Sequence, residues 1–232
     1  MRFFTALLGA AVIATALPAW AGDLADVTEP SCAETAMHLK QDPENWDSVH
    51  YVVQWSYGYI VGSEGLATGT NYKAIGKFMK DLSEGKCSEA KSTLYNAVRK
   101  VAQKKVADKD AYDITAIACE DFFTSNTDEY GRLNVEGLIG DLAWLSGYAA
   151  GQAKQPPKAD FTLLGASGQL TITKCKTSPK LNVSTVLEMM LPNAVAALEK
   201  AAAKKAPEPA APARPRPSAP DPQEGGDGGP GR

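Results

Sequence analysis

Trp55-Ser56-Tyr57-Gly58-Tyr59-Ile60-Val61-Gly62 and Trp144-Leu145-Ser146-Gly147-Tyr148-Ala149-Ala150-Gly151 are two copies of one pattern. Trp, Gly, Tyr and Gly recur in the same order, without a gap, 89 positions apart. The cysteines keep almost the same step: Cys119 follows Cys32 by 87 residues, and Cys175 follows Cys87 by 88. Six landmarks in one order at nearly one spacing argue for a duplicated unit, and a repeat of this kind decides the fold before any local reading does.

Working outward, each motif sits in the longest apolar-periodic stretch of its unit, over about residues 47–67 and 134–152. Val49, Val52, Val53, Ser56 and Ile60 recur at mostly three- and four-residue steps, as do Leu138, Leu142, Leu145 and Tyr148. That period is helical. Gly58 and Gly62, like Gly147 and Gly151, are four apart and share one helix face. Glycine inside a helix costs about 1 kcal/mol relative to alanine. The compensation expected here is close approach of another backbone, taken to be the cysteine-bearing helix of the same unit.

A short helix should carry the first cysteine of each unit, Cys32-Ala33-Glu34-Thr35 and Cys119-Glu120-Asp121-Phe122-Phe123, with Asp113 a candidate cap for the second. Ile75, Phe78, Met79 and Leu82 form a helical stripe before Cys87. Its counterpart, 161–173, is richer in Thr and Gly and reads as helix or strand. A last helix follows each second cysteine, over about 92–106 and 183–204, with Pro192 expected to kink or break the latter.

The ends of the chain read differently. Met1-Arg2 precedes a mostly apolar run to Leu17, which is shorter than the roughly 20 residues a membrane span needs. Ala19-Trp20-Ala21 has the small residues of a cleavage site, so residues 1–21 are expected to be a signal peptide removed after Ala21. The expected destination is the periplasm. From about residue 202 the chain is rich in Pro, Ala and Gly and nearly devoid of large apolar residues, the composition of a disordered tail. Four organisational segments follow: 1–21, a first helical unit over 22–108, a second over 109–201, and the tail 202–232. The fold class expected is all-α, two tandem small helical units stapled by disulfides.

All four cysteines lie after the leader, and an even number in an exported chain argues for disulfides. Four cysteines allow three connectivities. The repeat favours Cys32–Cys87 and Cys119–Cys175, because each unit would have carried its own bond before duplication. No Cys-x-x-Cys pair occurs, and His38 and His50 have no ligand spacing to the cysteines, so neither a metal nor a cofactor is expected. The net charge of −3 has no long block of one sign that would suit nucleic acid. No Ser-His-Asp order or phosphate-cradling loop is present, and Asp47 with His50, or Glu34 with His38, reads as a surface pair at helical spacing, so an enzyme is not expected.

Cys119-Glu120-Asp121-Phe122-Phe123 opening a unit, Trp144-Leu145-Ser146-Gly147-Tyr148 within it and Cys175-Lys176-Thr177-Ser178-Pro179 closing it resemble the HdeA/HdeB-type periplasmic acid-stress chaperones. The resemblance covers about 113–191, and 31–106 more loosely. It differs from the well-known members in having two units and a Pro/Gly tail. It implies chaperoning without ATP: folded and inactive near neutral pH, loosened in acid, with apolar surface holding unfolding periplasmic clients. The candidate client surface is Trp55, Tyr59, Phe122, Phe123, Trp144 and Tyr148, whose plainer role is the core of each unit. After loss of the leader, 23 Lys and Arg plus two His would bring the charge toward +25 once the carboxylates are protonated, and self-repulsion of that size destabilises a compact state. Small exported helical proteins with paired cysteines and a Gly-Tyr-x-x-Gly motif also resemble the Tai immunity group, which implies the alternative of a module that inhibits a toxin.

Overall fold

The computed structural model describes residues 25–67, 69–70, 72–87, 91–104 and 112–205. Residues 1–21, expected to be a signal peptide, and the chain beyond 205 lie outside the described residues. The protein is all-α with two disulfides. The first half contains β1 (Ala25–Asp26), α1 (Cys32–Gln41), α2 (Trp46–Glu64), β2 (Gly69–Thr70), α3 (Tyr72–Ser83) and α4 (Leu94–Ala102). The second contains β3 (Tyr112–Asp113), α5 (Cys119–Ser125), α6 (Val135–Gln152), β4 (Lys158–Ala159), α7 (Phe161–Thr177) and α8 (Val183–Lys205).

The same local devices build both halves. Asp26 accepts from the Thr28 backbone N–H at 3.0 Å and from its hydroxyl at 2.6 Å, and Asp113 does the same with Thr115 at the same two distances. The N–H of Cys32 donates to the Ser92 carbonyl and that of Cys119 to the Leu181 carbonyl. Leu94 returns a bond to Pro30, and Val183 to Ile117. The first turn of each cysteine helix is thereby tied to the segment that opens the last helix of its half, satisfying donors that a helix N-terminus leaves free. Asp113 therefore caps the short 3-10 turn Ile114–Ala116 and not the cysteine helix, whose N-cap, Ala118, has no side-chain bond.

Each disulfide closes its own half: Cys32–Cys87 with Cα atoms 6.0 Å apart, and Cys119–Cys175 with Cα atoms 5.2 Å apart. The strands do the opposite. β1 pairs antiparallel with β4, and β2 with β3, so each half lends a strand to the other. The exchange is reciprocal, as at a two-fold interface between identical subunits. One continuous core runs through both halves, from Leu39 and Ile60 to Leu138 and Trp144.

The segment left open between helix and strand is helical: α7 starts after Asp160, whose carboxylate accepts from the Leu163 N–H at 2.8 Å. Pro192 does not end α8, which continues to Lys205. The proline is exposed, and the packing of Val183, Val186, Leu187 and Ala194 holds the helix on its other side. Of the tail expected from 202, residues 202–205 are helical and the remainder lies outside the described residues. Among the described residues, no helix is long and apolar enough to cross a membrane.

Candidate functional site

α2 and α6 lie against each other along the duplicated motif. A Cβ built on Gly58 would stand 2.8 Å from the Trp144 carbonyl carbon, and one on Gly147 would stand 2.9 Å from that of Trp55. A Cβ on Gly62 would be 3.1 Å from the Gln152 nitrogen, and one on Gly151 would be 2.8 Å from the Ser63 nitrogen. Contacts this short force the backbones apart unless both residues are glycine. The close approach is therefore between the two halves, not between each glycine face and its own cysteine helix. The expectation on that point is corrected, because the duplicated face is complementary to its own copy.

The aromatic residues of the motif follow the same reciprocity. Trp55 stacks on Tyr59 with centroids 5.3 Å apart, and Trp144 on Tyr148 at 5.2 Å. Trp55, Tyr59, Trp144 and Phe122 are buried, whereas Tyr148 and Phe123 are half-buried. The Tyr59 hydroxyl donates to the Gln155 carbonyl of the other half at 2.6 Å. All six aromatic residues singled out as client-binding are thus packed in or against the core.

The two ends of the seam differ in chemistry. At one end stand His50, Asp47, Trp46 and Gln54 of α2 with Glu136 of α6. Trp46 Nε1 donates to Glu136 Oε1 at 2.6 Å, Gln54 Nε2 lies 3.1 Å from His50 Nε2, and His50 Nδ1 is 3.8 Å from Glu136. The His50 ring covers Gly140, where a Cβ would meet its Cε1 at 2.8 Å. Asp47 and His50 are therefore not a free surface pair. Burial lowers the imidazole below its ordinary value, against the pull of Glu136 and Asp47. Burial, then the charge of Glu136, raises Asp47. Tyr51 is pushed up to about 12, chiefly by burial.

A second polar cluster also bridges the halves. Tyr72 of α3 donates to Asp141 Oδ1 at 2.6 Å, and Asn126 donates to Oδ2 at 3.1 Å. Asp141 is 7 % exposed, and desolvation raises its carboxyl despite these two bonds. Of the first cluster only Asp47 with His50 was singled out in the sequence, as a surface pair, and of the second nothing. Asp141 interrupts an apolar helix face, which was the available signal; the partners Tyr72 and Asn126 are too distant in the chain to be read.

Among the described residues, no three His, Cys, Asp or Glu side chains converge as a metal site requires. No protein-family profile, no characterised protein and no solved structure matches the chain.

Proposed function

We propose that the protein is an ATP-independent chaperone of the periplasm. It is exported with loss of residues 1–21, closed near neutral pH, and opened in acid to hold unfolding proteins on apolar surface. The observation that supports this most is the α2–α6 seam. Two units, each closed by its own disulfide, meet through the face that carries Gly58, Gly62, Gly147 and Gly151, with the Trp144 ring against Tyr57 and the Tyr59 hydroxyl bonded to Gln155 across it. Parting the units would expose that face while the disulfides keep each unit from full expansion.

Protonation acts with defined signs both at the seam, through His50 and Asp47, and on exposed ion pairs and turns within each half. His50 has a lowered folded pKa, so its contribution to stability is present above about pH 6.5 and is lost as pH falls through the folded value. Asp26, Asp81, Glu84 and Asp128 are all held below their ordinary values. A side-chain hydrogen bond is the main cause for the first three, from Thr28, Lys77 and Lys86, and the Arg132 backbone N–H for Asp128. Their contributions are present above the ordinary carboxylate values and disappear as pH falls through the lowered folded ones. Asp47 and Asp141 act oppositely: raised in the fold, they add stability below about pH 3.8 and lose it as pH rises through their folded values. Net opening in acid then rests on His50, the four depressed carboxylates and the mounting positive charge together outweighing those two.

The test is aggregation of a denaturing client, followed by light scattering at pH 2.5 and pH 7 with the mature protein in its oxidised form. Suppression at pH 2.5 and little at pH 7 is the expected result. No suppression at pH 2.5 with both disulfides intact would remove the reading. Stoichiometric capture of one partner at neutral pH would favour an inhibitor of the toxin-immunity kind instead.

A further inference from the structure

A cavity of about 400 Å³ lies between α1 and α2 of the first half, with Phe161 from the second half in its lining. That size falls in the range of sites that take small ligands. Leu39, Val49, Val52, Leu94 and Phe161 form its apolar walls. Aligning the two halves on the sequence repeat shows why the space is open. Thr35 on α1 occupies the position that Phe122 holds on α5, and Phe122 is fully buried. Phe161, Val52 and Leu39 occupy the repeat positions of Tyr72, Asp141 and Asn126, which are joined by hydrogen bonds where Tyr72 reaches across to the second half. One half thus fills this volume with a phenyl ring and ties it with a polar network; the other lines it with apolar groups and leaves it accessible.

The mouth carries Glu34 and His38, one helical turn apart on α1 and both exposed. Glu34 is the one carboxylate that lines the cavity, no lysine or arginine lines it, and none forms an ion pair with Glu34 among the described residues. An apolar interior with one anion at its mouth suits a molecule with an apolar body and a cationic end.

We propose that this cavity is a binding site for a monomeric amphiphilic amine, its aliphatic or aryl part among Leu39, Val52 and Phe161 and its charged end at Glu34. The site goes beyond the chaperone reading and does not depend on it. It requires both halves, since Phe161 is the first residue of α7.

The experiment is fluorescence titration of the full mature chain with N-phenyl-1-naphthylamine at neutral pH. Dodecyltrimethylammonium and dodecyl sulfate then compete below their micellar concentrations, so that only monomers are offered. One saturable site per chain is expected. T35F, which places a ring where the second half has one, should weaken binding at least tenfold, and so should V49W, which blocks the wall from α2. The cationic competitor should act at roughly two- to fivefold lower concentration than the anionic one, the scale of an exposed charge pair, and E34Q should erase that difference. V49W alone decides the location if T35F does not fold. Absence of saturable binding, or unchanged affinity in V49W, would overturn the site; equal competition by the two surfactants would overturn the cationic assignment.

Discussion

The first and second halves share most of what closes a unit and differ in what lies between its helices. Shared are the Asp-Thr turn at Asp26 and Asp113, the disulfide, the backbone ties of Cys32 and Cys119, and the Trp-x-x-Gly-Tyr-x-x-Gly face. Different are the residues that the repeat places opposite them. His50 and Gln54 of α2 stand where α6 has Ile139 and Ala143, and Val52 stands where α6 has Asp141. Phe78, Met79 and Leu82 of α3 stand where α7 has Ser167, Gly168 and Thr171. The comparison teaches that the disulfides, the Asp-Thr turns and the Trp, Gly and Tyr positions of the motif keep like residues in both halves, whereas the interior of each half exchanges polar and apolar groups. The differing positions are therefore where function is most readily sought.

The largest effect should come from breaking the shared framework. Replacing Cys119 and Cys175 by serine opens a loop of 56 residues, worth about 4 kcal/mol on the chain-entropy account. Replacing Cys32 and Cys87 should cost nearly as much, since that loop spans 55. Thermal or urea unfolding of the two variants side by side measures both. A large inequality would show that one half depends on the other for its closure.

The next largest should come from the seam. G58A and G147A each force a methyl group onto the facing backbone, and overpacking of this kind costs about 3 kcal/mol even after the gain in helix propensity. The reciprocal geometry makes the two losses similar. G76A offers a control inside α3, because a Cβ there meets nothing within 4 Å; it should be neutral or slightly stabilising.

Smaller effects should sharpen the contrast between the halves. Y72F gives α3 the residue that α7 already has at Phe161 and leaves Asp141 with one hydrogen bond fewer, at a cost of about 1 kcal/mol. That cost should be greatest at neutral pH and should shrink as Asp141 protonates in acid, because its folded pKa is raised. H50I copies Ile139 into α2. It should flatten the stability profile over the interval beginning near pH 6.5 and extending down to the folded value of the imidazole, leaving the acid limb below pH 4 in place. Chemical unfolding at a series of pH values tests both.

How much of this was legible in the sequence depended on the range of the interaction. The helices at 46–64 and 135–152 follow from local periodicity, and the pairing of Cys32 with Cys87 and of Cys119 with Cys175 follows from the repeat. The spacing of Gly58 and Gly62 showed that a backbone must come close, but spacing cannot say which one. The partner turned out to be on the other copy, with the Trp144 backbone facing Gly58 and the Tyr148 backbone facing Gly62. Asp113 satisfied the composition rule for a cap, yet it caps the nearer 3-10 turn because Thr115 is within reach of its carboxylate. The Thr- and Gly-rich segment after Asp160 was ambiguous because its buried face, Ser167, Gly168 and Thr171, lacks the apolar stripe that marked α3. The role of His50 could not be read at all, since Glu136 and Gly140 reach it only when the halves meet.

Hydrogen–deuterium exchange of α2 and α6, as protection factors at pH 7 and pH 2.5 with both disulfides intact, tests the seam most directly. Strong protection around Gly58 and Gly147 at pH 7, lost in both helices together at pH 2.5, is the expected outcome. Protection that persists at pH 2.5, or that is absent from one of the two helices at pH 7, would contradict a reciprocal, acid-opened seam.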